Sequence, residues 1–335
     1  AIAELSGKIF QVAIVVGAVK LDLGFQWIVS ALLFNMLISF LVVFLWSKKY
    51  LRFRIQFDFS YWKNFLKEAA PIGIASVIAF AYFKMDTILL SLMKTGADVG
   101  IYNVASKVLE NITFFPAMII GLIFPLMAKN IFTNRKNFQE ISNKTFKVFL
   151  ILVVPLIIGI FSLSDGIIRV IGGGGFAEAS AILRILVFAL ALIFFGNFFN
   201  SVLIAGNAQK LLMLILGVAA VTNISLNLIF IPRFSYLGAA YISVLTEFLV
   251  VAMGFYATVK KIGYFPRIEK IPNILVAGGI MALFLFLFKQ NNFIFLLLIS
   301  PLIYFLLLWL LKVIKTEEIM SLISKKGVQE YGELP

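Results

Sequence analysis

The sequence predicts an all-α integral membrane protein with about ten transmembrane helices. Three observations carry that expectation. Hydrophobic residues make up 62% of the 335 positions and charged residues 13%, and the mean hydropathy is +1.04, far from the composition of a soluble globular domain. Apolar runs of bilayer length recur along the chain, residues 28–46 being 19 positions without a charge. Basic residues are dense in every second connection between runs and sparse in the others, as they are when Lys and Arg accumulate on the cytoplasmic side.

The runs place spans at residues 1–19, 26–46, 69–93, 100–127, 148–164, 181–205, 211–231, 237–259, 273–288 and 293–311, each long enough to cross a hydrocarbon layer of ~30 Å as a helix. The first carries Glu4 and Lys8, four apart, a spacing that allows pairing on one helix face near an end. The chain opens on AIAELSGKIF without an initiator Met, as expected of a fragment or a processed product. After the second span, residues 47–68 read SKKYLRFRIQFDFSYWKNFLKE. Basic charge with Phe and Tyr at intervals fits a segment lying along the headgroups and joining two halves of a bundle. Pro116, Pro125 and Pro155 fall within or near span ends, where freed carbonyls permit bends that serve a moving bundle or a static kink alike. The glycine-rich RVIGGGGFAEAS at 169–180 lacks the Gly-Lys-Ser/Thr ending of a phosphate loop and reads as a flexible turn. The tail, residues 312–335, is polar and reads as solvated.

Charge and residue types narrow the function classes. The chain holds no Cys and no His, which excludes disulfides, thiolate or imidazole metal sites and Ser-His or Cys-His nucleophiles. The net charge of +13 does not indicate nucleic acid, because its distribution follows membrane topology. Of 29 basic residues, 21 fall on one side, counting Lys8 near the start of the first span, 5 on the other and 3 deeper within spans. That asymmetry predicts a multi-pass membrane protein with both termini cytoplasmic.

The informative residues are the polar ones inside spans, since a charge at mid-membrane costs about 2.5 to 3.5 kcal/mol unless a partner or water meets it. In the stretch YFKMDTILLSLMKTGADVGIYNVASKVLEN, residues 82–111, four such groups occur: Lys84, Asp86, Lys107 and Glu110. Counted from Pro71, Lys84 lies about 20 Å along its helix. Lys84 and Asp86 are two apart and point to different sides, so each needs its own partner, to be sought on the following span. Lys107 and Glu110 are three apart and can pair locally. Arg184 is four residues past Ser180, which favours an interfacial position. Glu247 is near the middle of its span with no basic residue within four positions. It fits an inward-facing acid or a protonated carboxyl bonded to a neighbour. Asn197 and Asn200, and Asn223 and Asn227, each mark one helix face, fitting a polar lumen or interhelical hydrogen bonds.

The segments KMDTILLSLMKTGADVGIYNVASKV, NSVLIAGNAQKLL and NISLNLIFIPRFSYLGAAYISVLTE, in this order and spacing, resemble the Wzx-type polysaccharide flippases. These belong to the multidrug/oligosaccharidyl-lipid/polysaccharide exporter superfamily. The likeness extends over residues 69–259 and implies part of a two-lobed exporter fold. Residues 1–46 would be the last two helices of a first lobe, 47–68 a cytoplasmic linker, 69–259 a second six-helix lobe, 260–311 two additional helices and 312–335 a cytoplasmic tail.

The resemblance further implies export of a lipid-linked oligosaccharide of the undecaprenyl-diphosphate type by alternating access, with no catalysis and no cofactor. The partners implied are membrane lipids, a polysaccharide polymerase and chain-length machinery, and no nucleic acid. Lys84 and Lys107 match the positions of cavity cations, and Asn103, Arg184, Asn197, Asn200, Asn223 and Asn227 join them as substrate-binding candidates. Asp86, Glu110 and Glu247 are candidates for ion coupling or charge balance. The alternatives are a cation-coupled multidrug exporter, which favours a carboxylate-rich lumen, and a membrane-embedded glycan polymerase, which usually carries a large outer loop.

Overall fold

The computed structural model describes residues 2–50 and 58–314. Ten α-helices occur among them: α1 (Ile2–Lys20), α2 (Phe25–Tyr50), α3 (Phe59–Met93), α4 (Gly96–Ile112), α5 (Phe114–Thr133), α6 (Arg135–Gly172), α7 (Ala179–Ala205), α8 (Gln209–Ala257), α9 (Ile271–Leu287) and α10 (Phe293–Leu310). The chain divides into two compact units whose boundary falls within α3, between Phe65 and Leu66.

The number of helices does not translate directly into the ten expected spans. Six helical segments are each long and apolar enough to cross a bilayer, or seven when the bent α3 is counted as one span. The expected fourth span is divided between α4 and α5 at Thr113. The expected seventh and eighth spans are the two arms of α8, which part at Ser235, whose φ of 48° and ψ of −134° are not helical. The expected ninth corresponds to α9, only 17 residues long. Helices also outrun their apolar cores: α6 begins at Arg135, so its first turns are polar. The expected linker is mostly helical, since α2 runs to Tyr50 and α3 begins at Phe59. Arg52 and Arg54 lie outside the described residues, as does the tail from residue 315.

In the first unit α1 and α2 form a hairpin held by small and polar residues, the usual device where no hydrophobic drive separates helix from lipid. A Cβ on Gly7 would lie 2.2 Å from Asn35 Oδ1 and 2.8 Å from the Asn35 carbonyl oxygen, so the two backbones meet because residue 7 has no side chain. Asn35 Nδ2 donates to Gln11 Oε1 at 2.9 Å and Ser39 Oγ to the Ala3 carbonyl at 3.2 Å. Ala31 is fully buried at the same seam.

In the second unit α7 is the central post. Leu183, Val187, Leu190, Phe194, Phe198 and Val202 are buried along it, and α6 lays aromatic rings against it. Phe146 sits 4.9 Å from Phe195 and 5.2 Å from Phe198 between ring centroids, and Phe149 packs edge-on against Phe194. Such contacts stabilise beyond buried area alone. The glycine-rich stretch is a 3₁₀ turn, Gly174–Phe176, entered through Gly173 at φ 75°. Helices α9 and α10 pack on α6, where Tyr304 donates its hydroxyl to the Ile151 carbonyl at 3.0 Å. Gly278 admits Val154, whose Cγ1 would lie 2.6 Å from an added Cβ.

Candidate functional site

Three helices of the second unit converge on a polar interior: α3, α4 and α8, with α7 as its wall. The turn between α3 and α4 fixes their register. Thr95 and Asp98 form a capping box that starts α4, satisfying the first free N–H groups. Lys94 Nζ donates to the Pro232 carbonyl at 2.9 Å and Ser235 Oγ to Asp98 Oδ1 at 2.9 Å. The turn is thereby tied to the kink of α8.

Lys84 and Asp86 find separate surroundings. Lys84 Nζ lies 2.6 Å from Glu110 Oε1, and Lys107 Nζ lies 2.6 Å from Glu110 Oε2. One carboxylate thus bridges two amines, and the side chains keep 36% (Lys84), 63% (Lys107) and 25% (Glu110) of their surface exposed. Because Glu110 carries one charge against two, the trio retains a net charge of +1. Asn103, also on α4, accepts a hydrogen bond from Thr87 Oγ1 at 3.2 Å.

Asp86 turns inward and is 6% exposed. Its Oδ2 accepts from the hydroxyl of Tyr102 at 3.0 Å and from Ser243 Oγ, and its Oδ1 accepts from Asn223 Nδ2 at 3.1 Å and Asn227 Nδ2 at 2.6 Å. All four donors are neutral, so hydrogen bonds rather than an ion pair compensate the buried carboxyl. Asn227 Nδ2 also reaches Asn223 Oδ1 at 3.1 Å, while Asn227 Oδ1 is buried without a hydrogen-bond partner.

Glu247 is equally buried and accepts from the hydroxyl of Tyr82. Asp86 and Glu247 line one cavity of about 50 Å³, whose wall includes Tyr82, Thr87, Ser106 and Glu110. Asn197 and Asn200 line another, of about 320 Å³. Asn197 Nδ2 donates to the Ile193 carbonyl of its own helix at 2.9 Å, and Asn200 Oδ1 is buried and unpartnered. Arg184 stands apart, 2.5 Å from Asp165 Oδ2, with both side chains more than a third exposed.

The structure therefore divides the residues singled out in the sequence into groups. Lys84, Lys107, Glu110 and Asn103 lie along α3 and α4, Asp86 with Asn223 and Asn227 in the interior, Glu247 beside them, Asn197 and Asn200 in the second cavity and Arg184 elsewhere. Tyr82, Tyr102, Ser243 and Thr246 complete the interior and were not singled out. Spacing does carry a signal for two of them: Tyr82 is four residues from Asp86, and Ser243 is four from Glu247, so each shares a helix face with an acid.

The profile of the polysaccharide biosynthesis protein family matches residues 1–131. The chain is 26% identical over 174 residues to the probable low-salt glycan biosynthesis flippase Agl15 of Haloferax volcanii, covering 52% of this chain and 37% of that protein. It is 28% identical over 210 residues to the probable flippase AglR of the same organism, covering 62% and 44%. The chain thus spans less than half the length of these two relatives. Among solved structures, the lipid II flippase MurJ in an inward closed conformation superposes with a TM-score of 0.70 at 20% identity, over 92% of this chain and 66% of that one. A MOP-superfamily transporter from Pyrococcus furiosus superposes with a TM-score of 0.53 at 19% identity, over 65% and 50%. The chain is thus similar over residues 1–131 to the polysaccharide biosynthesis protein family, resembles flippases of Haloferax volcanii over part of their length, and shares the fold of MurJ.

Proposed function

We propose that this chain is part of a flippase that moves a lipid-linked oligosaccharide of the polyprenyl-diphosphate type across the plasma membrane by alternating access. The observation that supports it best is the Lys84–Glu110–Lys107 trio. Three charges gathered on one partly exposed face would be costly against acyl chains, at about 2.5 to 3.5 kcal/mol each at mid-membrane. Their place is an aqueous chamber, and their net positive charge suits a diphosphate. The flippase names of the Haloferax volcanii relatives and the fold shared with the lipid II flippase MurJ point the same way.

In this reading Lys84 and Lys107 meet the diphosphate and Asn103 contacts it beside them, while Glu110 holds both amines in place until cargo displaces it. Arg184 offers a further contact to the glycan near the α6–α7 turn. Asp86, supported by Asn223 and Asn227, is the group through which an ion gradient acts, with Glu247 beside it. The cytoplasmic placement of both termini follows from the 21-to-5 distribution of basic residues. Polymerase and chain-length proteins are partners in the same assembly line. Two amines against one carboxylate on the exposed face fit an anionic cargo better than the cationic drugs of the multidrug alternative.

The test is translocation of a fluorescent or radiolabelled lipid-linked oligosaccharide in vesicles containing the full-length protein. Variants Lys84→Ala and Lys107→Ala should translocate at least several-fold more slowly. Parental rates in both, with the proteins folded, would remove the reading.

A further inference from the structure

Tyr82 of α3, Ile193 of α7 and Glu247 of α8 have a property shared by no other residue of the two interior cavities: each lines both. The first cavity contains Asp86 and opens along Ser106 and Glu110 toward the face that bears the lysines. The second lies farther from the α3–α4 turn, past Ala79 on α3 and Asn197 on α7. One layer of three side chains separates them, and its polar part is the hydrogen bond from the Tyr82 hydroxyl to Glu247.

The second cavity has room for water and polar groups to meet it. Its volume of about 320 Å³ accommodates several molecules at roughly 30 Å³ each. Asn200 Oδ1 faces this region buried and unpartnered, a condition that water relieves. Glu247 contributes a carboxyl to the lining. A roomy pocket that carries Asn197, Asn200 and Glu247 in its lining therefore adjoins the chamber that contains Asp86, with Tyr82, Ile193 and Glu247 between them.

We propose that the Asn197–Asn200 cavity is a second aqueous approach to Asp86, closed in this structure by the Tyr82–Glu247 hydrogen bond and the packing of Ile193. Asp86 is then reached by protons or small cations from the lysine-bearing face in one state and through the parted Tyr82–Glu247 pair in another. The closing bond suits a door. It joins a neutral phenol to a carboxyl rather than two opposite charges, so parting it separates no ion pair. Tyr82 sits one helical turn from Asp86 on the same face of α3, and a rotation of α3 that shifts Asp86 moves the door with it. This role rests on the reading of Asp86 as the ion-coupling group of a transporter.

The test is ion leak, measured without any lipid-linked substrate. Vesicles containing the full-length protein are loaded with a pH-sensitive dye or a sodium-sensitive dye, and a proton or Na⁺ gradient is imposed. Tyr82→Phe keeps the ring and removes the donor; Ile193→Ala thins the apolar part of the wall. Each should raise the leak at least tenfold over the parental protein, and Ile193→Phe placed in the Tyr82→Phe background should bring it back within twofold. A parental leak in both single variants, at an unchanged thermal midpoint and elution profile, overturns the proposal. So does a leak that the refilled wall leaves untouched, because the path then runs elsewhere. The flippase reading fails by a different result, loss of glycan translocation dependence on Lys84 and Lys107, so the two can be told apart.

Discussion

Lys84 and Asp86, two residues apart on α3, meet different partners: the amine reaches Glu110 of α4 at 2.6 Å, while the carboxyl is closed among Tyr102, Asn223, Asn227 and Ser243. An offset of about 200° around a helix of 3.6 residues per turn makes this separation unavoidable. Cargo recognition and ion coupling, if each uses one of these groups, are therefore mechanically joined through one rigid helix.

Glu110 holds both amines, so its removal and theirs should act in opposite directions on cargo affinity. Glu110→Gln removes the carboxylate that the two lysines share and is expected to tighten binding of a diphosphate-bearing lipid by about tenfold, equivalent to roughly 1.4 kcal/mol, while slowing its release. Equilibrium binding in detergent and translocation in vesicles would measure the two effects. Weaker binding in Glu110→Gln would show that the carboxylate orders the lysines rather than competes for them.

Asp86 accepts from four buried donors, and a side chain that accepts nothing leaves them only their contacts with one another, with Thr246 and with the Ala239 carbonyl. Asp86→Leu is expected to lower stability by about 1 to 3 kcal/mol, the cost of one buried donor left unsatisfied. Asp86→Asn retains one acceptor oxygen and should be milder in thermal unfolding yet lose any dependence of transport on an ion gradient. Equal thermal midpoints for the two variants would contradict the hydrogen-bond account.

Gly7 permits the contact of α1 with α2. A Cβ there meets Asn35 backbone as well as side chain, so Gly7→Leu must push the helices apart, at about 1 to 3 kcal/mol for overpacking. The chain has no cysteine, which makes pairwise crosslinking clean. Ala3→Cys with Ser39→Cys should form a disulfide readily in the parental background and poorly with Gly7→Leu.

Gly238 follows the kink of α8 and faces the Phe230 carbonyl oxygen, 2.8 Å from where a Cβ would stand. Backbone cannot yield as a side chain tip can. Gly238→Ala is expected to destabilise the protein by about 1 to 3 kcal/mol, read as a fall in thermal midpoint, and to loosen the Ser235–Asp98 tie at the turn. A neutral result would mean that the two halves of α8 move freely about Ser235.

Much of the fold was legible in the order of residues because a bilayer imposes a length rule that local composition must obey. Hydropathy alone located the apolar segments of α2, α7 and α10. It could not show that helix runs on through Pro232 and Arg233 to the break at Ser235, nor that α6 starts a full thirteen residues before its apolar run. Those outcomes depend on packing against α4 and α7 rather than on the solvent rule.

By itself the sequence determined that this chain lives in lipid, that Lys84, Asp86, Lys107, Glu110 and Glu247 stand inside apolar runs, and that Lys84 and Asp86 must part company around α3. Tertiary structure alone decided their partners. That Glu110 bridges two lysines, that Asn223, Asn227, Tyr102 and Ser243 close on Asp86, and that Tyr82 stands against Glu247 between two cavities are contacts across 3 to 165 positions of chain. No periodicity records such contacts, because helix spacing fixes which face a side chain takes and only packing fixes what that face meets.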